Sequence, residues 1–328
     1  MSMICQPGTC VDHYQITRLL GSGGANCVYL AQDQRTRQDV ILKFPSDDLI
    51  GGAAIFKRYQ REVEMGKYLV HPCLQRYLNF GEERSRDYLV LEYLSGQTLR
   101  AVMKQYAPAG LSIEEVLRII LQVGETVASL HEQGVIHQDI KPENIMVMDT
   151  GEIKLLDLGI AQWKDKQHVS WHGFSSLVGT PDYMAPERLE GQPGTICSDI
   201  YAVGMVLYEL LCGRTPFEET DGFALVSEHI SHDPPIILQF NPTLSPTLTT
   251  VVMRAIRRDP EKRYVSMDDL LNDLRHLDKV IPVDYLPCPP KLGGRYRQVI
   301  RVALIVMIIF LALITFGVLV QLIHPTAR

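Results

Sequence analysis

The chain has 328 residues, 46% of them apolar and 21% charged, and 32 Lys and Arg against 38 Asp and Glu give a formal charge of −6. That composition excludes collagen, a coiled coil and wholesale disorder, and the acidic balance argues against a generally basic face, so no nucleic-acid partner is expected. Seven cysteines (Cys5, Cys10, Cys27, Cys73, Cys197, Cys212 and Cys288) are odd in number, widely spaced and without a CxxC pair. They read as reduced thiols of a cytosolic domain rather than as a disulfide scaffold or a zinc site.

In chain order, short runs rich in β-branched and aromatic residues predict strands over 14–20, 27–33, 39–44, 74–81 and 88–92. Turn residues at 21–26 and 81–86 bound several of them. One helix is predicted among them, over 53–70. From Leu111 onward helices dominate. Ser112 with Glu115 forms a capping-box pattern, and Ile113, Val116, Leu117, Ile120, Leu121 and Val127 follow at helical spacing until Gly134 stops the run. Residues 199–211 are apolar nearly all round, which predicts a helix at the centre of a second lobe. A strand-rich lobe followed by a helical lobe is an α+β arrangement with a cleft between.

Residues 281–292 hold four prolines, which suits a stiff linker and no regular element. Residues 302–320 then carry no charge, no proline and one glycine. As a helix they would span roughly 28 Å, close to the ~30 Å of a bilayer core. Lys291, Arg295, Arg297 and Arg301 precede the run and only Arg328, with His324, follows, so the positive-inside rule expects the bulk of the chain in the cytoplasm. The expected organisation is an N-terminal segment 1–13, a catalytic domain 14–277 (lobes 14–94 and 95–277), a juxtamembrane linker 278–298, a transmembrane helix 299–320 and an external tail 321–328. The tail is too short for a folded sensor, so a signal would come through lipid, a partner or a homodimer.

The polar residues carry the chemistry. Gly21, Gly23 and Gly24 lie between two predicted strands, where glycines let backbone N–H groups approach phosphates. The loop does not open a helix, which disfavours a dinucleotide-binding fingerprint. Val40-Ile41-Leu42-Lys43 is a strand ending in a lysine, and Glu62 follows 19 residues later on the predicted helix, able to supply a partner. Downstream come Ile136-His137-Gln138-Asp139-Ile140-Lys141-Pro142-Glu143-Asn144, then Leu156-Asp157-Leu158-Gly159, then Met184-Ala185-Pro186-Glu187.

In these motifs, over about residues 14–277, the chain resembles the protein kinase superfamily, and within it the eukaryotic-like serine/threonine kinases of bacteria. The resemblance implies a two-lobed kinase fold, ATP with Mg²⁺ (or Mn²⁺), and protein substrates with Ser or Thr acceptors, the chain itself among them. By position, Leu20, Gly21, Ser22, Gly23, Gly24 and Val28 would cover the nucleotide. Lys43 would hold the α- and β-phosphates, clamped by Glu62. Leu91 corresponds to the gatekeeper, and the backbone of Glu92 to Leu94 would bind adenine. Asp139 would accept the substrate hydroxyl proton, and Lys141 would neutralise the γ-phosphate. Asn144 and Asp157 would hold the metal. Thr180 would bond the catalytic Asp and Lys, Glu187 would pair with Arg263, and Asp199 would bind the catalytic-loop backbone. Ser170, Ser175 and Ser176 are the candidate phosphosites before Thr180.

The departures from the family pattern are specific. Asn26 replaces the third glycine, and Ile41 stands where a smaller residue would face adenine. Leu158 replaces a phenylalanine. Gln138 replaces the arginine that usually pairs with a phosphorylated activation loop, so phosphorylation of the three serines is not expected to be the main switch. Gly66, four residues after Glu62, falls where a large apolar residue commonly locks the helix, and predicts a gap and a mobile helix. Cys27, next to Val28, is read first as a small strand residue, and the alternative is a thiol over the adenine site whose alkylation blocks ATP. With Lys43, Glu62, Asp139, Asn144 and Asp157 all present, phosphoryl transfer is preferred over an ATP-binding pseudokinase scaffold. A polypeptide-docking segment over 157–187 disfavours a small-molecule phosphotransferase.

Overall fold

The computed structural model describes residues 5–22, 26–45, 52–108, 110–158, 160–163, 181–217 and 221–284, with the side chains of 52–58 excepted. The chain forms two compact units, Met1–Asp284 and Tyr285–Arg328, and the described residues all belong to the first.

The first lobe is a six-stranded antiparallel sheet made from β1 (Cys10–Val11), β2 (Tyr14–Ser22), β3 (Asn26–Asp33), β4 (Asp39–Pro45), β5 (Tyr77–Leu78) and β6 (Leu89–Glu92), in the order β1-β2-β3-β4-β6-β5. Helix α1 (Gly52–Tyr68) sits between β4 and β5 in the chain. Strand alternation divides the side chains between two faces. Tyr14, Ile16, Tyr29, Ala31, Val40, Leu42, Phe44, Tyr88 and Val90 form a buried cluster on one face. Its rings meet edge-on or tilted: Tyr29 on Phe44 at 5.6 Å and Phe44 on Tyr88 at 5.4 Å. Val28, Ile41, Lys43 and Leu91 turn the other way and line a cleft. The register sets Val28 opposite Lys43 and Ile41 opposite Leu91. Two irregularities in β2, between Ile16 and Arg18 and between Leu19 and Gly21, add the local twist that bulges produce next to the glycine loop.

Only part of the strand predicted over 74–81 pairs. Leu74 makes an isolated parallel bridge to Leu155, and the Gln75 N–H donates to the Leu155 carbonyl at 3.0 Å, so this stretch joins the second lobe. Asn79 at φ +56° then turns the chain.

The second lobe contains β7 (Gly96–Thr98), α2 (Leu99–Tyr106), α3 (Ile113–Glu132), β8 (Val135–Ile136), β9 (Ile145–Met148), β10 (Ile153–Leu155), β11 (Gln162–Trp163), α4 (Pro186–Leu189), α5 (Ile196–Cys212), α6 (Gly222–Ser231), α7 (Pro246–Ala255) and α8 (Met267–Arg275). The Ser112 hydroxyl caps α3 by accepting from the Glu115 N–H at 3.2 Å. The reciprocal half of the expected box is diverted: the Glu115 carboxylate accepts from Arg118 at 2.6 and 3.0 Å. Gly134 follows α3 at φ +74°, a conformation glycine adopts without strain.

Helix α5 begins before the predicted residue 199, because Thr195 and Ser198 form a complete capping box. Tyr201, Val203, Met205, Val206, Leu207 and Tyr208 on it are fully buried, against α3, α7 and α8. Each large side chain buried there contributes about 1.5–3 kcal/mol, so α5 is the platform of this lobe. Two small sheets, β10-β9-β7 and β8 paired with β11, carry the loops of the site and pack on α2 and α3. The second pairing sets the residues before Asp139 beside those after Asp157.

Among the described residues no helix is long and apolar enough to cross a membrane. The expected span, 299–320, and its flanks lie outside the described residues.

Candidate active site

Lys43 reaches out of β4 into a buried ion network. Its Nζ donates to Glu62 Oε1 at 2.8 Å and to Asp157 Oδ1 at 2.8 Å, joining α1 to the segment after β10. The Tyr77 hydroxyl donates to the same Glu62 oxygen at 2.8 Å and accepts from the Leu158 N–H at 3.4 Å. Lys43, Glu62 and Tyr77 are 6%, 4% and 9% exposed, so these groups face each other rather than bulk water. Burial alone would pull Lys43 down, but the carboxylates of Glu62 and Asp157 outweigh it and hold the ammonium above its usual pKa. Burial pushes Glu62 up against the pull of Lys43. Burial, and then the Glu62 charge, push the Tyr77 phenol well up.

The loop between β8 and β9 presents the second cluster. Lys141 Nζ donates to both carboxylate oxygens of Asp139, at 2.8 and 2.9 Å. Asn144 Nδ2 donates to the Asp139 carbonyl at 2.9 Å and to its Oδ2 at 2.7 Å. Below them the fully buried Asp199 carboxylate accepts from the N–H groups of His137 and Gln138, each at 2.9 Å, and lies 2.9 Å from His131 Nε2. Gln138 and Asp157 are non-glycine residues at φ +67° and +59°. Such conformations cost of order 1–3 kcal/mol and persist where surrounding bonds hold them; here Asp199 grips one and Lys43 the other.

The Gln138 side chain has its own partner. Its amide donates to the Ile160 carbonyl at 3.0 Å, tying the loop between β8 and β9 to the segment beyond Asp157. Arg263 Nη1 and Nη2 meet the two oxygens of Glu187 at 2.8 Å each.

The first cluster and, from the second, Asn144 line a cavity of about 490 Å³, a size suited to a nucleotide-class ligand, whereas Asp139 and Lys141 are not among its lining residues. Leu20, Gly21, Val28, Lys43, Glu62, Leu91, Leu94, Asn144 and Asp157 line it, with Tyr93 from the Glu92 to Leu94 segment, as do the unforeseen Arg18, Gln75, Tyr77, Met146 and Leu156. Ile41 lines it as expected. Ser22 closes β2, and its hydroxyl lies 3.6 Å from the Cys27 sulfur. Glu92 is tied down through its backbone and side chain: Gln75 Nε2 donates to its carbonyl at 2.9 Å, and Lys154 to its carboxylate at 2.7 Å. The donor set suits a hard divalent cation, since the Asp157 carboxylate and the Asn144 amide both face the cavity and Asn144 spends its N–H groups on Asp139, leaving its oxygen as the ligand atom.

One alternative falls and one expectation changes. Cys27 is a strand residue that packs with the buried cluster on the far face of the sheet, as its alternation with Val28 requires, and not a thiol over the adenine site. Gly66 leaves no gap, because the ring of Tyr77 occupies the space. Gly23, Gly24, Thr180, Ser170, Ser175 and Ser176 lie outside the described residues. Sequence reasoning missed Tyr77, His131 and Arg100. Arg100 donates to Glu143 at 2.7 Å and Glu209 at 2.7 Å and also meets Tyr183, so it secures the loop residue beside Asn144. The one signal available for Tyr77 was Gly66: a missing side chain on a buried helix face calls for a neighbour that fills it.

The profile of the protein kinase domain family matches residues 14–274, and the chain belongs to that family. It is 33% identical over 262 residues to the serine/threonine-protein kinase PrkC of Bacillus subtilis, an overlap of 80% of this chain and 40% of that protein. It is 31% identical over 272 residues to the serine/threonine-protein kinase PknB of Mycobacterium tuberculosis, covering 82% and 43% of the two. The chain thus spans about two fifths of the length of the curated relatives it matches. Among solved structures, a double mutant of the PknI kinase domain of Mycobacterium tuberculosis superposes with a TM-score of 0.68 at 25% identity, over 84% of this chain and 99% of that one.

Proposed function

We propose that this chain is an ATP-dependent serine/threonine protein kinase. The observation that carries the reading is Lys43, held at 2.8 Å by Glu62 from one side and by Asp157 from the other, above a loop where Asp139 and Lys141 are paired. Phosphoryl transfer needs positioning and charge neutralisation more than covalent help. Lys43 presents its ammonium to the α- and β-phosphates, and Glu62 fixes its direction. The backbone from Glu92 to Leu94 receives the adenine, between Ile41, Val28 and Leu156. Asp157 and Asn144 hold Mg²⁺ or Mn²⁺, which when bound neutralises the charge that develops on the phosphate oxygens. Asp139 orients a Ser or Thr hydroxyl and takes its proton as the new O–P bond forms and ADP leaves. Lys141 stays beside Asp139 and neutralises the γ-phosphoryl group. Thr180, outside the described residues, keeps the role that the resemblance implies, bonding Asp139 and Lys141.

Proteins are the substrates, this chain among them. The catalytic domain comprises 14–277, and residues 299–320 form a membrane anchor that leaves it on the cytoplasmic side of a bacterial membrane. Support for the anchor is the uncharged run 302–320 with four basic residues just before it. The kinase reading is tested by magnesium-dependent transfer of labelled γ-phosphate to a generic protein substrate, with phosphoamino-acid analysis. Label on Ser or Thr, lost in Asp139→Asn, is expected; nucleotide binding without transfer would leave the pseudokinase scaffold. For the anchor, a chain ending at Asp284 should leave the membrane fraction and stay active. Its persistence in membranes would refute a span at 299–320.

A further inference from the structure

We propose that Tyr77 is a positioning residue of this site, its hydroxyl joining Glu62 of α1 to the backbone that follows Asp157, in a space that Gly66 provides. Gly66 lies one helical turn beyond Glu62, on the same face of α1. A Cβ on Gly66 would sit 2.4 Å from Tyr77 Cγ and 2.7 and 2.8 Å from Cδ1 and Cδ2. No side chain fits there while the ring is in place, so the small residue and the large one are a matched pair. The ring is buried, and its orientation brings the hydroxyl between two polar groups, Glu62 Oε1 at 2.8 Å and the Leu158 N–H at 3.4 Å.

The contacts close on themselves. Lys43 bonds Asp157, Asp157 leads through its peptide to Leu158, the Leu158 N–H donates to Tyr77, Tyr77 donates to Glu62, and Glu62 accepts from Lys43. A displacement of α1 therefore costs two bonds to Glu62 at once. A displacement of the segment at Asp157 costs the bond from Leu158 as well as that from Lys43. A hydrogen bond to a charged group contributes more than a neutral one, and this one is shared by both elements that carry the phosphate-directed charges. The raised phenol pKa keeps the hydroxyl a donor throughout the neutral range. A ring that only filled space would need no hydroxyl, and phenylalanine would serve equally.

The inference rests on the kinase reading, and the experiment separates the two. Wild type, Tyr77→Phe, Gly66→Ala and the double variant are compared as full chains for kcat, KM for ATP, melting temperature and hydrogen exchange over residues 153–158. Tyr77→Phe should lower kcat about ten-fold and leave KM for ATP within about two-fold, since the adenine end is untouched. Its melting temperature should stay within a few degrees, and the Leu158 amide should exchange about ten-fold faster for want of its acceptor. Gly66→Ala should push the ring aside and reproduce the kcat loss, with no further loss in the double variant. Tyr77→Phe with kcat within two-fold of wild type and unchanged exchange at Leu158 overturns the proposal. So does a loss of kcat that merely follows melting, with exchange quickened throughout the lobe. A wild-type chain that transfers no phosphate sinks the kinase reading instead, and the exchange measurement then decides the role of Tyr77 alone.

Discussion

Two buried ion pairs sit in the two lobes, and they are built for different ends. Arg263 spends all five of its N–H donors: two on the Glu187 carboxylate and three on the carbonyls of Cys197, Arg257 and Arg258. It also stacks over the Tyr201 ring at 4.7 Å. Nothing is left for a ligand, and the pair locks α4 to the chain between α7 and α8. Lys43 has three donors and gives two of them to carboxylates, Glu62 and Asp157, at the wall of the cavity. One cation facing two carboxylates leaves a local negative balance, which suits the binding of a divalent cation. A pair that is saturated supports the fold, and a pair that is incompletely balanced supports chemistry.

The contrast can be broken by substitution at either pair. The largest effect on activity is expected from Asp139→Asn, Lys43→Met and Asp157→Asn, each about a thousand-fold or more in kcat/KM, measured by steady-state phosphate transfer. Folding should survive Lys43→Met. Lys43 is buried, 6% exposed, so its removal bears on the packing around it. Burial, however, already pushes Glu62 towards its neutral form, and Tyr77 still donates to it. In the other lobe, Glu187→Ala leaves the buried Arg263 charge without its counter-ion and should cost about 3–5 kcal/mol of stability, read by urea unfolding. A Glu187→Ala chain of wild-type stability, or a Lys43→Met chain that fails to fold, would undo the distinction.

A pH titration sharpens it. His229 is buried beside Phe217 at 4.4 Å, with the Tyr201 hydroxyl at 3.3 Å from Nδ1, and burial lowers its pKa from 6.5 to about 4. The unfolded chain therefore takes up this proton at higher pH than the folded one. Stability is lost as pH falls from about 6.5 towards 4 and levels off below, by about 1 kcal/mol per pH unit from this group. His229→Phe should flatten that part of a melting-temperature profile while leaving phosphate transfer at neutral pH intact. An unchanged slope would place the acid sensitivity elsewhere. The smallest effect is expected from replacing Ser170, Ser175 and Ser176 together by Ala. Gln138 already holds the Ile160 carbonyl without any phosphate, so activity should stay within a few-fold, and a loss beyond about thirty-fold would point to a phosphate-dependent contact.

Much of the site was legible because phosphate chemistry restricts residue identity. An ammonium on a strand, a carboxylate and an amide at the metal position, and an Asp–Lys pair on one loop are few in kind and occur at readable spacings. The structure brings Lys43, Glu62 and Asp157 together across 114 residues of sequence between the lysine and the last of them. Tyr77, His131 and Arg100 were not legible. The bond from Arg100 to Glu209 spans 109 residues, and that from His131 to Asp199 spans 68. Their residue types have many ordinary roles, and no local pattern marks the partner. The truncated strand at 74–81 was misread for a related reason, since its run of apolar residues is shared between pairing with β6 and bridging to Leu155.

Local interactions are written along the chain, and so the sequence by itself determined the strands β2, β3, β4 and β6, the Ser112 cap of α3, the apolar faces of α3 and α5, and most of the charged residues of the site. Alternation of period two and helical spacing act over a few residues, and they need no knowledge of the partner. The tertiary structure alone decided what each face meets. It turned Cys27 to the core while Val28 lines the cavity, diverted Glu115 from its cap to Arg118, and filled the hollow at Gly66 with the ring of Tyr77. Packing is close and collective, and whether a missing side chain is a void or a socket depends on atoms brought there from elsewhere in the chain.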